Sequence, residues 1–347
     1  MKNLREIVLD QARLGGACAV GIATVETLEG GPESTDIRQL LPGARSAISF
    51  AYTLDAGPID LYLSKKDRAP HERNNIDVNN LVSGAALNLA GYIEMKGHKS
   101  VPVIANNYYR SDTPGGLLDM LPDISLRYLA VRSGVGCFGL SGNVIVPEHG
   151  ATVILGATIT TAEFEPTEPL PPEKNYCDGC RLCMASCASG TMDPDELTTV
   201  TMGGKAFEYS KRKSYLRCEY VCGGFTGLHP SGKWSTWSPG RFEIPEEDEA
   251  FGPALMNGLV KYGEWPDMGG GYYHSLSPHK MFITCGNCQL VCHPKKEERQ
   301  RRFQLLKEAG VVVQNENGSV EAVPPEEAIQ KMEAMDPQRR VMYEDIG

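Results

Sequence analysis

The chain has no apolar run of bilayer length. Its longest such stretch, around Ala151 to Ile159, is too short and too rich in Gly and Thr to span a membrane. The N-terminus, MKNLREIVLDQARLGG, has neither the uninterrupted apolar core of a signal peptide nor a twin-arginine pair. It reads as an amphipathic helix with Leu4, Ile7, Val8 and Ala12 near one face. Cationic charge is also short. Lys and Arg number 34 against 44 Asp and Glu, a net charge of −10. A phosphate backbone rewards the opposite balance, so nucleic acid is disfavoured as a partner, although a small basic groove remains compatible with the count. No repeat of 20 to 50 residues and no flavin-specific motif is evident. The expectation is a cytoplasmic protein that makes no use of a membrane.

Apolar residues make up 41% and charged residues 22%, ordinary for a globular protein. A length of 347 residues suggests two or three domains. Residues 1–165 read as an α/β region. The strand candidates are Cys18–Ile22, Ser46–Tyr52, Ser100–Ile104, Asn143–Val146 and Thr152–Thr160, all β-branched or apolar. The helix candidates are Leu4–Leu14, Val78–Lys96 and Leu126–Ser133. A Pro- and Glu-rich stretch at 163–175 predicts an extended, exposed linker. Residues 166–300 then carry two cysteine runs around a Gly-, Trp- and Tyr-rich middle that reads as loops with aromatic anchors. Residues 301–347 read as a helical tail, led into by KKEERQRRFQLLKEAG.

There are eleven cysteines, and seven sit in two tight runs. In a reducing compartment that pattern points to metal rather than disulfides. The first run, Cys177, Cys180, Cys183 and Cys187, has the C-x2-C-x2-C-x3-C spacing of bacterial ferredoxins. A short loop can wrap three thiolates around one cubane, leaving the fourth to reach a second. Zinc favours paired knuckles instead. The second run holds Cys285, Cys288 and Cys292. Two cubanes need eight ligands and the runs supply seven, so one thiolate must come from elsewhere. Cys218 and Cys222 are the nearest candidates. Cys218 is the expected ligand, and Cys222 reads as a small buried hydrophobe, as do Cys18 and Cys137. Crossed ligation would place Cys177, Cys180, Cys183 and Cys292 on one [4Fe-4S] cluster, and Cys187, Cys285, Cys288 and Cys218 on the other. Ala188 stands where Pro commonly follows the fourth cysteine, and His293 intervenes before Pro294.

These runs, with the isolated Arg-Cys218 between them, resemble epoxyqueuosine reductases and reductive dehalogenases. A second stretch agrees, SLRYLAVRSGVGCFGLSGNVIVPEHGATVILGATIT, residues 125–160. It resembles that superfamily's helix, Gly-rich turn, strand, Pro-x-x-Gly turn and strand, with Cys137 and Phe138 where Trp and Ile are common. The resemblance implies an α+β protein, with a nitroreductase-like core binding base-off cobalamin and a ferredoxin-like domain holding two [4Fe-4S] clusters. It implies that Gly134, Gly136, Gly139, Ser141 and Asn143 line the corrin. Read without it, the G-x-G-x-x-G string follows a helix and precedes a strand, the wrong order for a dinucleotide turn, and is a structural turn. The resemblance also implies electrons arriving from a low-potential donor of ferredoxin or flavodoxin type, and a small organohalide- or epoxide-type substrate. Epoxyqueuosine reductases resemble one another in an acidic residue ahead of the helix. Here that position is Met120, with Asp119 and Asp123 beside it. The helical repeats of many such enzymes are not recognisable in residues 295–347.

Tyr108, Tyr109 and Arg110 follow a strand candidate, and a Tyr beside Arg can deliver a proton. With Asp123 they are the candidate catalytic group, although a polar loop with packed aromatics is the simpler reading of 106–110. Trp234, Trp237, Phe242, Trp265, Tyr272 and Tyr273 either cap a cofactor or staple a loop core. His149, His229, His274 and His279 read as structural, and Lys211-Arg212-Lys213 as a solvated run. Three functions fit: a corrinoid-dependent reductase, an electron carrier that activates a corrinoid on a partner protein, and a ferredoxin module on a flavin domain.

Overall fold

Residues 3–105, 109–274 and 277–345 are described by a computed structural model. Helices and strands are mixed throughout. The chain forms two compact units that interleave, where the sequence suggested consecutive domains. One comprises residues 1–54, 75–180 and 196–210, and the other residues 55–74, 181–195 and 211–347. No described helix is long and apolar enough to cross a membrane.

The first unit is built on four antiparallel strands in the order Ala19–Thr24, Ser46–Thr53, Val153–Thr160, Ser100–Val103. Alternation along these strands divides the core in two, since successive side chains point to opposite faces. Ile22, Ile48 and Phe50 join one apolar cluster, and Ala23, Ala47, Ala51 and Ile159 join the other. Helix Ala69–Glu94 covers the first face. Its buried Val78, Val82, Ala86, Leu89 and Ile93 fall at spacings of four, four, three and four, one stripe of an α-helix. Helix Leu126–Arg132 covers the other through Leu126, Leu129, Ala130 and Val131. Helix Leu4–Leu14 starts on a capping box, in which Asn3 and Glu6 satisfy each other's backbone N–H groups at 2.9 and 3.1 Å. The 163–175 stretch is partly docked rather than free. Phe164 is buried, and Thr167 exchanges backbone and side-chain hydrogen bonds with Ile22 on the edge strand.

The second unit has less regular structure. One core cluster gathers Ile59, Tyr62, Leu63, Trp234, Trp237, Leu290, Val291, Leu306 and Val312. Another gathers Tyr220, Phe225, Phe242, Phe251, Tyr262 and Phe282. Trp234, Trp237, Phe242, Trp265 and Tyr272 therefore staple a loop core, whereas Tyr273 is exposed. Trp234 and Trp237 are buried, and Trp265 stacks on Tyr343 at 5.2 Å while its indole N–H donates to the Met342 carbonyl at 2.7 Å. Within this middle segment lies helix Phe251–Tyr262, which the loop reading did not anticipate. The tail also differs from the expected helices. After helix Lys296–Lys307 comes a β-hairpin, Val311–Gln314 with Val320–Val323, then helix Pro325–Glu333. Asn317-Gly318 at the tip, with Gly318 at φ +87°, is a turn signal between two β-branched runs.

Candidate iron–sulfur site

Helix Tyr215–Cys222 starts on Ser214, whose hydroxyl accepts from the Leu216 N–H at 3.2 Å. Arg217 anchors it by pairing with Asp248. Cys218 and Cys222 are one turn apart, so both thiols lie on one face, with their sulfurs 3.4 Å apart. Cys285 joins them, accepting a hydrogen bond from Cys222. That bond is the main influence pulling the Cys285 thiol down to about 7 against burial, helped by the N–H groups of Asn287 and Gly286 and the charge of Lys65. Cys218 is lowered too, chiefly by Cys222, and Cys222 is raised because it holds the proton for both. Cys187 is pushed up mainly by burial and also feels the charges of Cys218 and Cys285. Its sulfur lies 3.3 Å from the Ser189 hydroxyl.

The second unit thus brings Cys187, Cys218, Cys222 and Cys285 into one electrostatically linked group. Cys222 belongs to it, contrary to its reading as an inert hydrophobe. Among the described residues, no three His, Cys, Asp or Glu side chains are placed to hold a single metal ion. Inward N–H groups at residues 286 and 287 suit thiolate sulfur, and both amide atoms of fully buried Asn287 lack a hydrogen-bond partner.

The loop carrying Cys285 is tightly held. The Tyr62 hydroxyl donates to the carbonyls of Ile283 and Cys285 at 3.2 and 3.1 Å. Glu72 accepts from the Ile283 N–H at 3.0 Å, and the Thr284 hydroxyl donates to the Cys222 carbonyl at 3.1 Å. Arg302 donates to the Leu290 carbonyl at 2.9 Å, at the end of the short helix Asn287–Leu290 that carries Cys288. Sequence reading missed Tyr62, Lys65, Glu72 and Asn287. The string SKKDRAPHER, residues 64–73, looks solvated, and only burial reveals its role.

Cys177 and Cys180 belong to the first unit. The Leu140 N–H points at the Cys177 sulfur at 3.3 Å. Asn175 links the start of this run to the Gly-rich turn, accepting from the Cys177 N–H and donating to the Phe138 carbonyl, both at 3.0 Å. The turn itself offers little bare backbone. Gly134 has φ +74°, and a Cβ there would meet the Glu168 carbonyl oxygen at 2.3 Å. At Gly136 it would meet Val144 and the Ile145 carbonyl at 2.6 and 2.7 Å, and at Gly139 Ile145 at 3.2 Å. These glycines are required by packing inside the unit. Ser141 is buried, and its hydroxyl accepts from the Asn143 N–H at 3.3 Å.

Tyr108 lies outside the described residues. Tyr109 forms a β-bridge with Pro122, and the Arg110 N–H donates to the Leu121 carbonyl at 2.9 Å, which brings Asp123 to the same arch. The Arg110 guanidinium is committed to Asp112 and Glu33, which raise its pKa further. Met120 ends a short 3-10 turn in the left-handed region, at φ 52°. A cavity of about 870 Å³ in the second unit lies beside helix Phe251–Tyr262 and is lined by His229, Arg241, Phe242, Asn257 and Lys261. None of the expected cluster ligands lines it.

No family model matches the chain. An epoxyqueuosine reductase of Gloeobacter violaceus is 29% identical over 184 residues, covering 52% of this chain and 51% of that protein. The chain therefore spans about half the length of this curated relative. A crystal structure of an epoxyqueuosine reductase with an epoxyqueuosine-modified tRNA-Tyr stem loop aligns at 18% identity over 65% of this chain and 59% of that one, with a TM-score of 0.42. A catabolic reductive dehalogenase aligns at 13% identity over 96% of this chain and 37% of that one, with a TM-score of 0.48. By sequence, the chain resembles the epoxyqueuosine reductases over about half of its length.

Proposed function

We propose that this protein is an oxidoreductase that holds two [4Fe-4S] clusters and reduces a small organohalide- or epoxide-type substrate with base-off cobalamin. The observation that carries the cluster part is the half-buried group of Cys187, Cys218, Cys222 and Cys285. It joins the last thiol of the ferredoxin run to the second run and to the isolated helix. Cys187, Cys218, Cys285 and Cys288 would hold one cluster, with Cys222 beside Cys218. Cys177, Cys180, Cys183 and Cys292 would hold the other. When bound, the clusters supply low-potential one-electron transfer, and cobalamin supplies the reactive metal centre. Cobalamin is proposed on relatedness alone.

The chain's own residues have defined tasks in this reading. The N–H groups of Leu140, Gly286 and Asn287 orient thiolates. Tyr62, Glu72 and Arg302 hold the second run in place. Tyr109, with Tyr108, is the proposed proton donor through its phenol, and Asp123 and Arg110 set the charge around it. A ferredoxin- or flavodoxin-type protein is the proposed electron source.

A second reading is action on epoxyqueuosine in tRNA, favoured by the 29% identity to an epoxyqueuosine reductase. The net charge of −10 then requires a local basic groove. A third is reductive activation of a corrinoid on a partner protein.

The test is anaerobic loading with iron, sulfide and hydroxocobalamin, followed by gel filtration. About eight irons per chain and a co-eluting base-off spectrum are expected. Cobalamin that does not co-elute removes the corrinoid part, and an iron count below about four removes the clusters. Turnover of a halophenol, of epoxyqueuosine tRNA, or of neither separates the three readings.

A further inference from the structure

Lys65 is the most anomalous charged group of the second unit outside the thiols. Its backbone is left-handed, with φ 58°. The residue is 6% exposed, and its ammonium nitrogen has no hydrogen-bond partner. No carboxylate pairs with it among the described residues. It lies instead over two aromatic rings, 5.8 Å from the centre of Tyr62 and 5.7 Å from that of Trp237. Both rings are fixed. The Trp237 indole donates to the Tyr62 carbonyl at 3.0 Å, and the Tyr62 hydroxyl donates to the carbonyls of Ile283 and Cys285. The Lys65 N–H itself donates to the Tyr62 carbonyl at 3.2 Å. The stem is therefore tethered to the residues that hold the Cys285 loop.

A lysine usually reaches water with its head while its stem lies on apolar surface. This one cannot, because its head is enclosed. A buried, unpaired ammonium is costly unless an opposite charge stands nearby. Aromatic faces supply part of that attraction. Burial draws the Lys65 ammonium down to about 7, the negative charge of Cys285 works against that shift, and Lys65 in turn lowers the Cys285 thiol.

We propose that Lys65 is the buried counter-cation of the iron–sulfur cluster bound through Cys285, and that it raises the reduction potential of that cluster. The inference rests on the cluster reading above. Its sign follows from charge. Reduction adds one electron to an already anionic group, and a nearby cation stabilises the reduced form more than the oxidised form. Lys65 is a positioning residue of the electron path and touches no substrate.

The test uses the full chain, loaded anaerobically with iron and sulfide, as wild type, Lys65→Met and Lys65→Arg. Iron and sulfide are counted, and both midpoint potentials are read by redox titration of the reduced-cluster paramagnetic signals. Lys65→Met should load fully and disfavour reduction of one cluster at least tenfold, 59 mV for one electron. Lys65→Arg should stay within threefold of wild type. A fully loaded Lys65→Met protein with both potentials unchanged overturns the proposal. So does an equal shift in Lys65→Arg, which would show that shape rather than charge matters. If Lys65→Met fails to load, Lys65→Gln replaces it. Failure of both neutral variants beside a loaded Lys65→Arg overturns the tuning role in favour of an assembly role. Failure of the wild type to load refutes the cluster reading itself.

Discussion

The buried pair Arg68–Glu72 offers the sharpest test of how the second cysteine run is held. Their side chains are 6% and 3% exposed, and one guanidinium nitrogen lies 2.8 Å from the carboxylate. The same carboxylate accepts from the Gly271 N–H at 2.8 Å and from the Ile283 N–H at 3.0 Å, two residues before Cys285. Arg68 also donates to the Met268 carbonyl at 3.0 Å. Glu72→Gln removes the charge and turns an amide donor toward one of these N–H groups. Breaking one partner of a buried ion pair costs about 3–5 kcal/mol, because the other charge is stranded. Arg68→Met should cost a similar amount, since it strands the carboxylate. The double variant strands neither charge, so it should be milder than the sum of the singles by about 2 kcal/mol. Tryptophan fluorescence in urea is a suitable assay, because Trp234, Trp237 and Trp265, the chain's three tryptophans, all lie in the second unit. Midpoint shifts convert to free energy through the urea slope. Amide exchange at Ile283 should accelerate in Glu72→Gln. A single-variant cost below about 1 kcal/mol, or singles that add to within about 0.5 kcal/mol, would refute the argument.

His71 is 2% exposed, packs on Tyr62 at 4.6 Å, and its pKa is pushed down by burial to about 4. The unfolded chain takes up this proton near pH 6.5 and the folded chain does so only near 4. Stability is therefore full above about 6.5 and falls by about 3 kcal/mol on the way to pH 4. His71→Phe should flatten that slope in urea titrations, and parallel slopes would contradict the assignment. Gly21→Ala places a methyl group 2.0 Å from the Ser133 carbonyl oxygen and 2.7 Å from the Thr167 hydroxyl. It should cost at least about 1–3 kcal/mol, seen as faster exchange across Ala19–Thr24, and unchanged protection would show that the site can open. Trp265→Leu removes the stack on Tyr343 and the bond to Met342, so amides at 339–345 should exchange faster while the sheet of the first unit does not respond. Cys218→Ser and Cys222→Ser should each be scored by iron content. A full complement of about eight irons in Cys218→Ser would transfer the ligand role to Cys222.

The first unit was largely legible because its elements follow simple periodicities. Helix Leu4–Leu14 has the expected bounds, and the strands at 46, 100 and 153 lie within two residues of their expected ends. The long helix begins nine residues earlier than its apolar stripe, because its first turns, through Pro70, His71 and Glu72, belong to the second unit. That polar beginning reads as surface in sequence and is buried in the fold. The cysteine runs stand out in the sequence by their spacing, and the helix pairing of Cys218 with Cys222 could be read there too. The role of Cys222 could not, since helical spacing from Cys218 places two thiols together but does not say what faces them. The tail hairpin carried its signal in Asn317-Gly318, masked by a charged helix before it and another helix after it. The Gly-rich turn carries a packing role that its spacing did not show. Its glycines fit a family pattern, yet each is explained by a neighbour within its own unit.

Interleaving has a consequence for the order of synthesis. The chain passes between the two units five times, so neither unit can be cut out as a contiguous segment. Cys187, Cys218 and Cys222 leave the ribosome well before Cys285, and Trp237, Leu290 and Val312 must all arrive before their shared core can close. At elongation speeds of about 5–20 residues per second, the early thiols wait several seconds, unprotected, for their partners. On the proposed cluster reading, iron loading would then be a late event, coupled to completion of the chain, and the reducing capacity of the surroundings during that interval would govern how much protein reaches the loaded state.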